Sequence, residues 1–248
     1  MARQTPGARS GRSGGALWLY GFHAVKAALA NPRRRKHRCV LTSQAAENLG
    51  DKSLSRIEVE IVTADRVSRL LPQGAVHQGI ALSCEPLTRP DLPEIVSRHG
   101  RKIVLILDQV ADPHNVGAIL RSAAAFDAAA VIVQERHAPG ESGALAKAAS
   151  GALDLIPYVA VVNIARVLEQ LGESGFWRLA LTGDAGRALA DAKISGDMAL
   201  VVGSEGAGIR RLVRERCDDC ATIPTGARLE SLNASNAAAI ALYECSRR

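Results

Sequence analysis

The stretch Ile103–Asp108, with the sequence IVLILD, decides the fold class of this chain. Five apolar residues followed by a carboxylate are typical of a strand that is buried on both faces of a parallel sheet. Further strand patterns follow at residues 130–133, 156–161, 179–182 and 198–203, and helical patterns lie between them at residues 116–126, 144–149, 164–171 and 209–216. An alanine-rich helix is predicted for residues 233–246. Strands and helices in alternation predict an α/β fold with an open parallel sheet and helices on both faces.

The residues before this sheet predict a separate, smaller α/β domain. Helical spacing at residues 23–30 ends at Asn31 and Pro32, strand patterns cover residues 39–42, 57–62 and 79–84, and a short helix is predicted for residues 65–71. We therefore expect a small domain over residues 17–84, a proline-containing linker over residues 85–94 and a larger domain over residues 95–248. Residues 1–16 are rich in Arg, Gly and Ser and are predicted to form a disordered basic arm, with a mitochondrial transit peptide as the alternative.

The positive charge of the chain is concentrated in its first third. Residues 1–90 contain 14 Lys and Arg against 6 Asp and Glu, whereas residues 91–248 contain 17 against 19. Because Lys and Arg displace counterions from phosphates, this distribution indicates a nucleic-acid partner, and a solvated basic surface is the alternative. Aromatic residues make up only 3% of the chain, which argues against recognition by base stacking. The candidates for contact with RNA are Arg33, Arg34, Arg35, Lys36 and Arg38.

The composition argues against a membrane-spanning helix and a metal site, and it indicates where in the cell the protein is found. The apolar runs are shorter than the roughly 20 residues that a membrane-spanning helix needs. Five cysteines without a secretory signal indicate a reducing, cytoplasmic location. Cys217 and Cys220 form a lone C-x-x-C pair, and since zinc sites normally need four ligands, no metal is expected.

Three segments of the larger domain combine polar residues with the carboxyl ends of predicted strands, where open α/β sheets bind ligands. The first covers residues 108–125, where Asn115 is a candidate helix N-cap and Arg121 follows it on the same helix. A capped helix with a surface arginine is the simpler interpretation of this segment. The second covers residues 200–211, in which Glu205 lies among glycines 203, 206 and 208. This spacing matches neither a Walker A loop nor the G-x-G-x-x-G fingerprint.

The third segment covers residues 222–244, where polar residues crowd the start of the last helix. These residues are Ser231, Asn233, Ser235 and Asn236. Helix capping needs one such side chain, so the excess predicts a polar site at this helix end.

Together, the three segments resemble the SpoU (TrmH-like) branch of the SPOUT methyltransferases. The matching patterns are N-x-G-A-x-x-R-S-A at residues 115–123, G-S-E-G-x-G at residues 203–208 and I-P…S-L-N-x-S at residues 223–235. Residues 20–25 and 76–80 look like the start and end of the L30e-like substrate-binding domain of the branch members that methylate guanosine in bacterial ribosomal RNA. Two positions depart from the usual pattern, because Gly226 comes one place early and Asn236 replaces an apolar residue.

This resemblance implies both the architecture and the chemistry of the protein. It implies a C-terminal SPOUT domain with a trefoil knot and a mostly parallel sheet, a homodimer, and 2′-O-methylation of structured RNA, above all 23S ribosomal RNA, with S-adenosylmethionine. The implied cofactor-binding residues are Gly203, Ile223 and Leu232, and the implied active-site residues are Asn115, Arg121, Glu205, Ser231 and Asn233. Arg121 acts either as the base or by holding the RNA phosphate; because arginine normally stays protonated, the second role is chemically simpler.

Three alternatives remain open at this point. A transfer RNA ribose methyltransferase shares the same motifs. A non-catalytic RNA-binding protein would explain the basic first domain but would leave Arg121, Glu205 and Asn233 without a role. A nucleotide-dependent dehydrogenase is disfavoured because its glycine fingerprint is missing.

Overall fold

The computed structural model describes residues 16–55, 57–97, 100–226 and 231–247, so the arm predicted for residues 1–16 lies almost entirely outside the described residues. The first part of the chain forms a four-stranded sheet in the order β1-β4-β2-β3, in which β2 and β3 are parallel and the other pairs antiparallel. Its strands are β1 Leu17–Tyr20, β2 Lys36–Leu41, β3 Glu58–Ile61 and β4 Ile80–Cys84. The accompanying helices are α1 Phe22–Ala30, α2 Ser43–Leu49, α3 Asp51–Leu54 and α4 Ala64–Ser68.

The rest of the chain forms a six-stranded sheet in the order β10-β8-β9-β5-β6-β7, and every strand pair in it is parallel. Its strands are β5 Ile103–Asp108, β6 Ala130–Gln134, β7 Tyr158–Val161, β8 Trp177–Leu181, β9 Met198–Gly203 and β10 Asp219–Ala221. The helices are α5 Leu92–Val96, α6 Pro113–Ala125, α7 Gly143–Ala149, α8 Ile164–Glu173, α9 Arg211–Arg214 and α10 Ala234–Ser246, with 3₁₀ turns at Ala152–Asp154 and Leu189–Asp191. The predicted α/β class is confirmed.

The first five residues of β5 are apolar because the strand has a core on each side. Leu105 and Leu107 pack in a core that includes residues of α6, α7 and α10. Val104 and Ile106 pack in a second core with residues of α5 and α8. Alternate side chains of a strand point to opposite faces, so helices cover both faces of the sheet, as predicted. None of the described helices is long and apolar enough to span a bilayer.

The first core continues into the smaller domain. It includes Leu19 and Leu82 of the four-stranded sheet together with Leu145 of α7. At Gly143, which begins α7, a Cβ atom would lie 2.5 Å from the ring of Tyr20, so only glycine allows this approach. The two sheets therefore meet through a packed apolar contact.

A buried ionic cluster, made of Arg34, Glu141 and Asp154, joins the same two parts of the chain. Arg34 is only 2% exposed, and its guanidinium donates to Asp154 Oδ1 at 2.9 Å and Oδ2 at 3.0 Å and also to Glu141. Burial alone would lower the Arg34 pKa, but the hydrogen bonds and charges of Asp154 and Glu141 outweigh it and raise the pKa above its ordinary value. The prediction that Arg34 contacts RNA is therefore wrong: its charge is neutralised inside the protein.

Helix α6 begins earlier than the sequence predicts, and this changes the role of Asn115. The helix starts at Pro113 rather than at Val116, because the Asp112 side chain accepts hydrogen bonds from His114 N at 3.2 Å and from Asn115 N at 3.3 Å. Proline is well suited to the first helical position, since its missing N–H would be unpaired there in any case. Asp112 is the N-cap, so the prediction of Asn115 as the cap is wrong.

The remaining differences concern short elements. Helix α9 covers only Arg211–Arg214 instead of residues 209–216. Strand β1, helix α2, helix α3, helix α5 and strand β10 were not predicted. Each of these five has at most seven residues, too few to show a clear hydrophobic period.

Candidate active site

The candidate site lies where β5 and β9 end side by side, since Asp108 pairs with Gly203 in the ladder. The segments that follow β8, β9 and β10, together with the start of α10, enclose a cavity of about 770 Å³. This volume is within the range of about 300–1,000 Å³ that is usual for small-molecule sites. Gly203, Ile223 and Leu232, to which the family resemblance gives a cofactor-binding role, all line it, as do Glu205 and Ser231.

Asn115, Glu205 and Asn233 form a hydrogen-bonded group at the edge of the cavity, the Asn–Glu–Asn cluster. Asn115 Nδ2 donates to Glu205 Oε1 at 3.0 Å, Asn233 Nδ2 donates to the same oxygen at 2.5 Å, and Asn233 Nδ2 also donates to Asn115 Oδ1 at 3.0 Å. Each residue comes from a different one of the three motif segments. The structure thus brings together three of the five predicted active-site residues.

Asn233 is also the N-cap of helix α10. Its Oδ1 accepts from Ser235 N at 2.8 Å and from Ser235 Oγ at 2.5 Å. One side of the amide therefore holds the helix end, while the other side reaches Asn115 and Glu205. The surplus of polar residues at this helix end is accounted for in part by the cap and in part by the cluster.

The glycine loop, residues 204–209, carries Glu205 and folds back on itself. Gly208 N donates to Ser204 O at 2.9 Å, and Gly206 and Gly208 have φ angles of 79° and 66°, which favour glycine. A Cβ atom on Gly203 would lie 2.5 Å from Ile209 N. Position 203 therefore requires glycine because the backbone of the loop returns close to it, and not because a ligand needs the space.

Arg121 and Ser231 are not hydrogen-bonded to the Asn–Glu–Asn cluster. Arg121 is exposed on α6, and within the part of the chain that the structure describes its side chain has neither a hydrogen bond nor an ion pair. Ser231 is exposed at the cavity and directly follows residues 227–230, which lie outside the described ranges. The guanidinium of Arg121 is thus available to an external anion.

Sequence reasoning missed a buried ion pair behind the glycine loop. Asp108 is fully buried, and its carboxylate accepts from Arg210 N at 2.8 Å and from Arg210 Nε at 2.8 Å. The signal that pointed to Asp108 was present in the sequence, because a carboxylate that ends an apolar strand needs a partner. Its partner could not be identified, since the two residues are 102 positions apart.

Cys217, the first cysteine of the C-x-x-C pair, is not activated as a nucleophile. Burial raises the pKa of the Cys217 thiol to about 12, with the nearby Cys220 as a further cause, so Cys217 is protonated at neutral pH. Over residues 16–55, 57–97, 100–226 and 231–247, no group of three or more metal-ligating side chains is found.

Comparison with known proteins identifies the family. The SpoU rRNA Methylase family model matches residues 102–243, and the model for RNA 2'-O ribose methyltransferase substrate binding matches residues 18–90. The chain belongs to the SpoU rRNA methylase family. Curated relatives of this SpoU-family enzyme include proteins named 23S rRNA (guanosine-2'-O-)-methyltransferase RlmB from Vibrio vulnificus and Coxiella burnetii. Both are 38% identical to it, over 93% of this chain and over 96% and 95% of the relatives.

Solved structures agree with this assignment at the level of the fold. The SpoU methyltransferase AviRb from Streptomyces viridochromogenes, in complex with the cofactor AdoMet, gives a TM-score of 0.78 at 22% identity and covers 94% of this chain and 90% of that one. A TrmH-family RNA methyltransferase from Porphyromonas gingivalis gives a TM-score of 0.76 at 26% identity, with the same coverage of 94% and 90%. Family membership confirms the predicted class of enzyme, an S-adenosylmethionine-dependent RNA ribose methyltransferase. It favours this class over the dehydrogenase and the non-catalytic RNA-binding protein.

Proposed function

We propose that this SpoU-family enzyme methylates the ribose 2′-hydroxyl of a guanosine in 23S ribosomal RNA. The observation that carries the proposal is the 38% identity to the RlmB proteins over 93% of the chain, which includes the substrate-binding region 18–90 as well as the methylase region. The alternative, a transfer RNA target, has less support. Two solved structures of tRNA-modifying enzymes cover only 62% and 64% of this chain.

The residues around the cavity fit S-adenosylmethionine. The cavity volume of about 770 Å³ accommodates a ligand of this size. Gly203, Ile223 and Leu232 offer backbone groups and apolar side chains to an adenosine moiety, as the family resemblance implies. S-adenosylmethionine supplies the activated methyl group when it is bound.

The chain's own residues hold and orient the nucleophile. Arg121 binds the RNA phosphate next to the target ribose with two parallel N–H donors, which fixes the direction of the 2′-hydroxyl. Asn115 and Ser231 position the ribose, and Asn233 and Glu205 keep Asn115 in place. Alignment of this kind accounts for a large share of the rate in a transfer between two bound reactants. A proton-accepting role for Arg121 would require a neutral guanidine, whereas arginine side chains stay protonated in proteins.

The basic face of the smaller domain supplies affinity for RNA through fewer residues than the sequence suggests. Arg33 and Arg35 are exposed, and Arg35 pairs with Glu85 at 3.3 Å. Arg38 is partly exposed and lies over the ring of Trp18, 5.3 Å from its centroid. Lys36 is less available, because its Nζ donates to the carbonyls of Leu29 and Asn31, each at 3.0 Å.

Three properties of the family resemblance extend the proposal. A homodimer is supported by Ile240 and Tyr243, which are 43% and 51% exposed on the outer face of α10. A trefoil knot is compatible with the strand order, in which β9 lies between β8 and β5. A cytoplasmic location follows from the ribosomal RNA target.

Mapping of ribose methylation in a deletion strain tests the proposal. Ribosomal and transfer RNA from the strain and its parent are compared by nuclease resistance of the 2′-O-methylated linkages. We expect the loss of one guanosine modification in 23S RNA, restored by the wild-type gene and not by the Arg121→Ala variant. Loss of a transfer RNA modification, with 23S RNA unchanged, would establish the alternative target.

A further inference from the structure

Both ends of the glycine loop are attached to one residue, Asp108. At the start of the loop, Gly203 pairs with Asp108 in the β5–β9 ladder. At its end, Arg210 donates its backbone N–H to Asp108 Oδ2 at 2.8 Å, and its Nε and Nη2 lie 2.8 Å and 2.6 Å from Asp108 Oδ1. The six residues between these attachments include Glu205.

Burial of the Asp108 carboxylate makes its attachment to the glycine loop a strong one. The Asp108 side chain has no exposed surface, whereas the Arg210 side chain is 36% exposed. A buried carboxylate is costly unless it is paired and hydrogen-bonded, and here one guanidinium and one backbone N–H satisfy it. Loss of the pairing would remove the side-chain attachment at the end of the loop.

We propose that Asp108 is a positioning residue that clamps the glycine loop and thereby sets the cavity wall and the place of Glu205. Asp108 itself does not line the cavity, whereas residues 203–209 do. Its effect on the cofactor is transmitted through the loop. This inference rests on the proposed use of the cavity for S-adenosylmethionine.

The chain offers a matched control in Asp218 and Arg178. Asp218 accepts from Arg178 N at 2.8 Å and from Arg178 Nε at 2.9 Å, which is the same donor pattern as at Asp108. Arg178 belongs to the start of β8, while the cavity lies at the opposite end of that strand. Asp218→Asn therefore removes a pair with the same donor groups away from the loop, at a carboxylate that is 22% exposed.

The experiment measures S-adenosylmethionine affinity by calorimetry and steady-state kinetics for the full-length wild type, Asp108→Asn and Asp218→Asn. We expect Asp108→Asn to weaken cofactor affinity by roughly tenfold or more, equivalent to about 1.4 kcal/mol, and to raise KM for the cofactor while KM for RNA stays the same. Asp218→Asn should lower the melting temperature without changing either KM. A purely structural role for Asp108 would instead make the two variants behave alike.

A second variant keeps the test decisive if Asp108→Asn does not fold. Arg210→Lys retains a positive charge beside the buried carboxylate but loses the planar fork, so it should fold and show a smaller rise in the cofactor KM. Wild-type affinity in folded Asp108→Asn, or in folded Arg210→Lys, would overturn the clamp and leave the proposed function intact. A wild-type enzyme that binds no S-adenosylmethionine would overturn the proposed function and the clamp with it.

Discussion

The side chain of Asn115 can join the site because another residue, Asp112, caps helix α6. The sequence motif identified Asn115 as a site residue, but it could not show that Asn115 lies at the third position of the helix and faces Glu205. Glu205 and Asn233 are 90 and 118 residues away in the chain, so local patterns carry no information on this contact. Residue identities at the site were thus predictable by resemblance, while their hydrogen-bond partners depended on the fold.

Arg121→Ala is expected to reduce methyl transfer by at least about a hundredfold while cofactor affinity stays nearly unchanged, because Arg121 is exposed and does not line the cavity. Arg121→Lys should not restore activity, since a lysine cannot hold a phosphate with two parallel donors. Single-turnover rates with saturating cofactor, together with calorimetry, measure both quantities. Arg166→Ala, at an exposed arginine of α8, is the control. An equal loss of cofactor binding in folded Arg121→Ala would contradict this separation of roles.

Gly203→Ala is expected to destabilise the protein by about 1–3 kcal/mol and to weaken cofactor binding, because the added Cβ would overlap the returning loop at Ile209. Gly183→Ala is a matched control. Gly183 lines the same cavity, yet a Cβ atom there meets nothing within 4 Å. Thermal melting of the two variants should differ accordingly. Equal melting temperatures for Gly203→Ala and wild type would refute the steric explanation.

Among the elements, the buried strands were the best predicted. Strands β5 and β9 have the predicted bounds, because their apolar runs end at a charged residue or a glycine that also ends the strand. The order of the strands could not be predicted, since the pairing of β5 with β9 joins residues about 95 positions apart through contacts that no local pattern encodes. The three-residue strand β10 forms only by pairing with β8.

Helix α10 has an outer face that fits the proposed dimer. The helix offers small residues for close contact at Ala237, Ala238, Ala239 and Ala241, but Ala238 and Ala241 are buried in the chain's own core. Ile240 and Tyr243, one turn apart, remain on the outside. The apolar contact is therefore expected to centre on these two larger side chains.

Replacing both Ile240 and Tyr243 with Asp should give a monomer, because two charges would have to be buried in an apolar contact. Light scattering at micromolar concentration measures the mass. The control replaces Val162 and Leu212, exposed by 78% and 60% on other surfaces, with Asp and should leave the mass unchanged. A fully active wild-type monomer would rule out the dimer.

At the scale of the whole molecule, the basic residues and the cavity lie in different domains. The excess of Lys and Arg lies in residues 1–90, while the cavity lies in the larger domain. The total charge was readable from the sequence. The sequence did not show which arginines are available to RNA, because the burial of Arg34 depends on Asp154 in the other domain.

Changing Arg33 and Arg35 to Glu should weaken RNA binding and flatten its salt dependence by roughly 1.4–1.8 units of log affinity per log salt, if each side chain neutralises one phosphate. Arg34 must be left in place, since a glutamate there would be buried beside two carboxylates. Filter binding over a salt series measures the slope. The control is the same charge reversal at Arg66 and Arg69, two exposed arginines of the same domain. Equal effects of both pairs would indicate that only net charge matters.

The ionic cluster also has a consequence for synthesis of the chain. Asp154 is added 120 residues after Arg34, which at about 5–20 residues per second is a delay of roughly 6–24 s on the ribosome. Until Glu141 is added, 107 residues after Arg34, the guanidinium has neither of its carboxylate partners for burial and stays hydrated. The nascent smaller domain therefore completes its packing only after translation has passed the 3₁₀ turn at Ala152–Asp154. A pause in translation between β4 and that turn would prolong the lifetime of an RNA-binding domain that is still without its counter-ions.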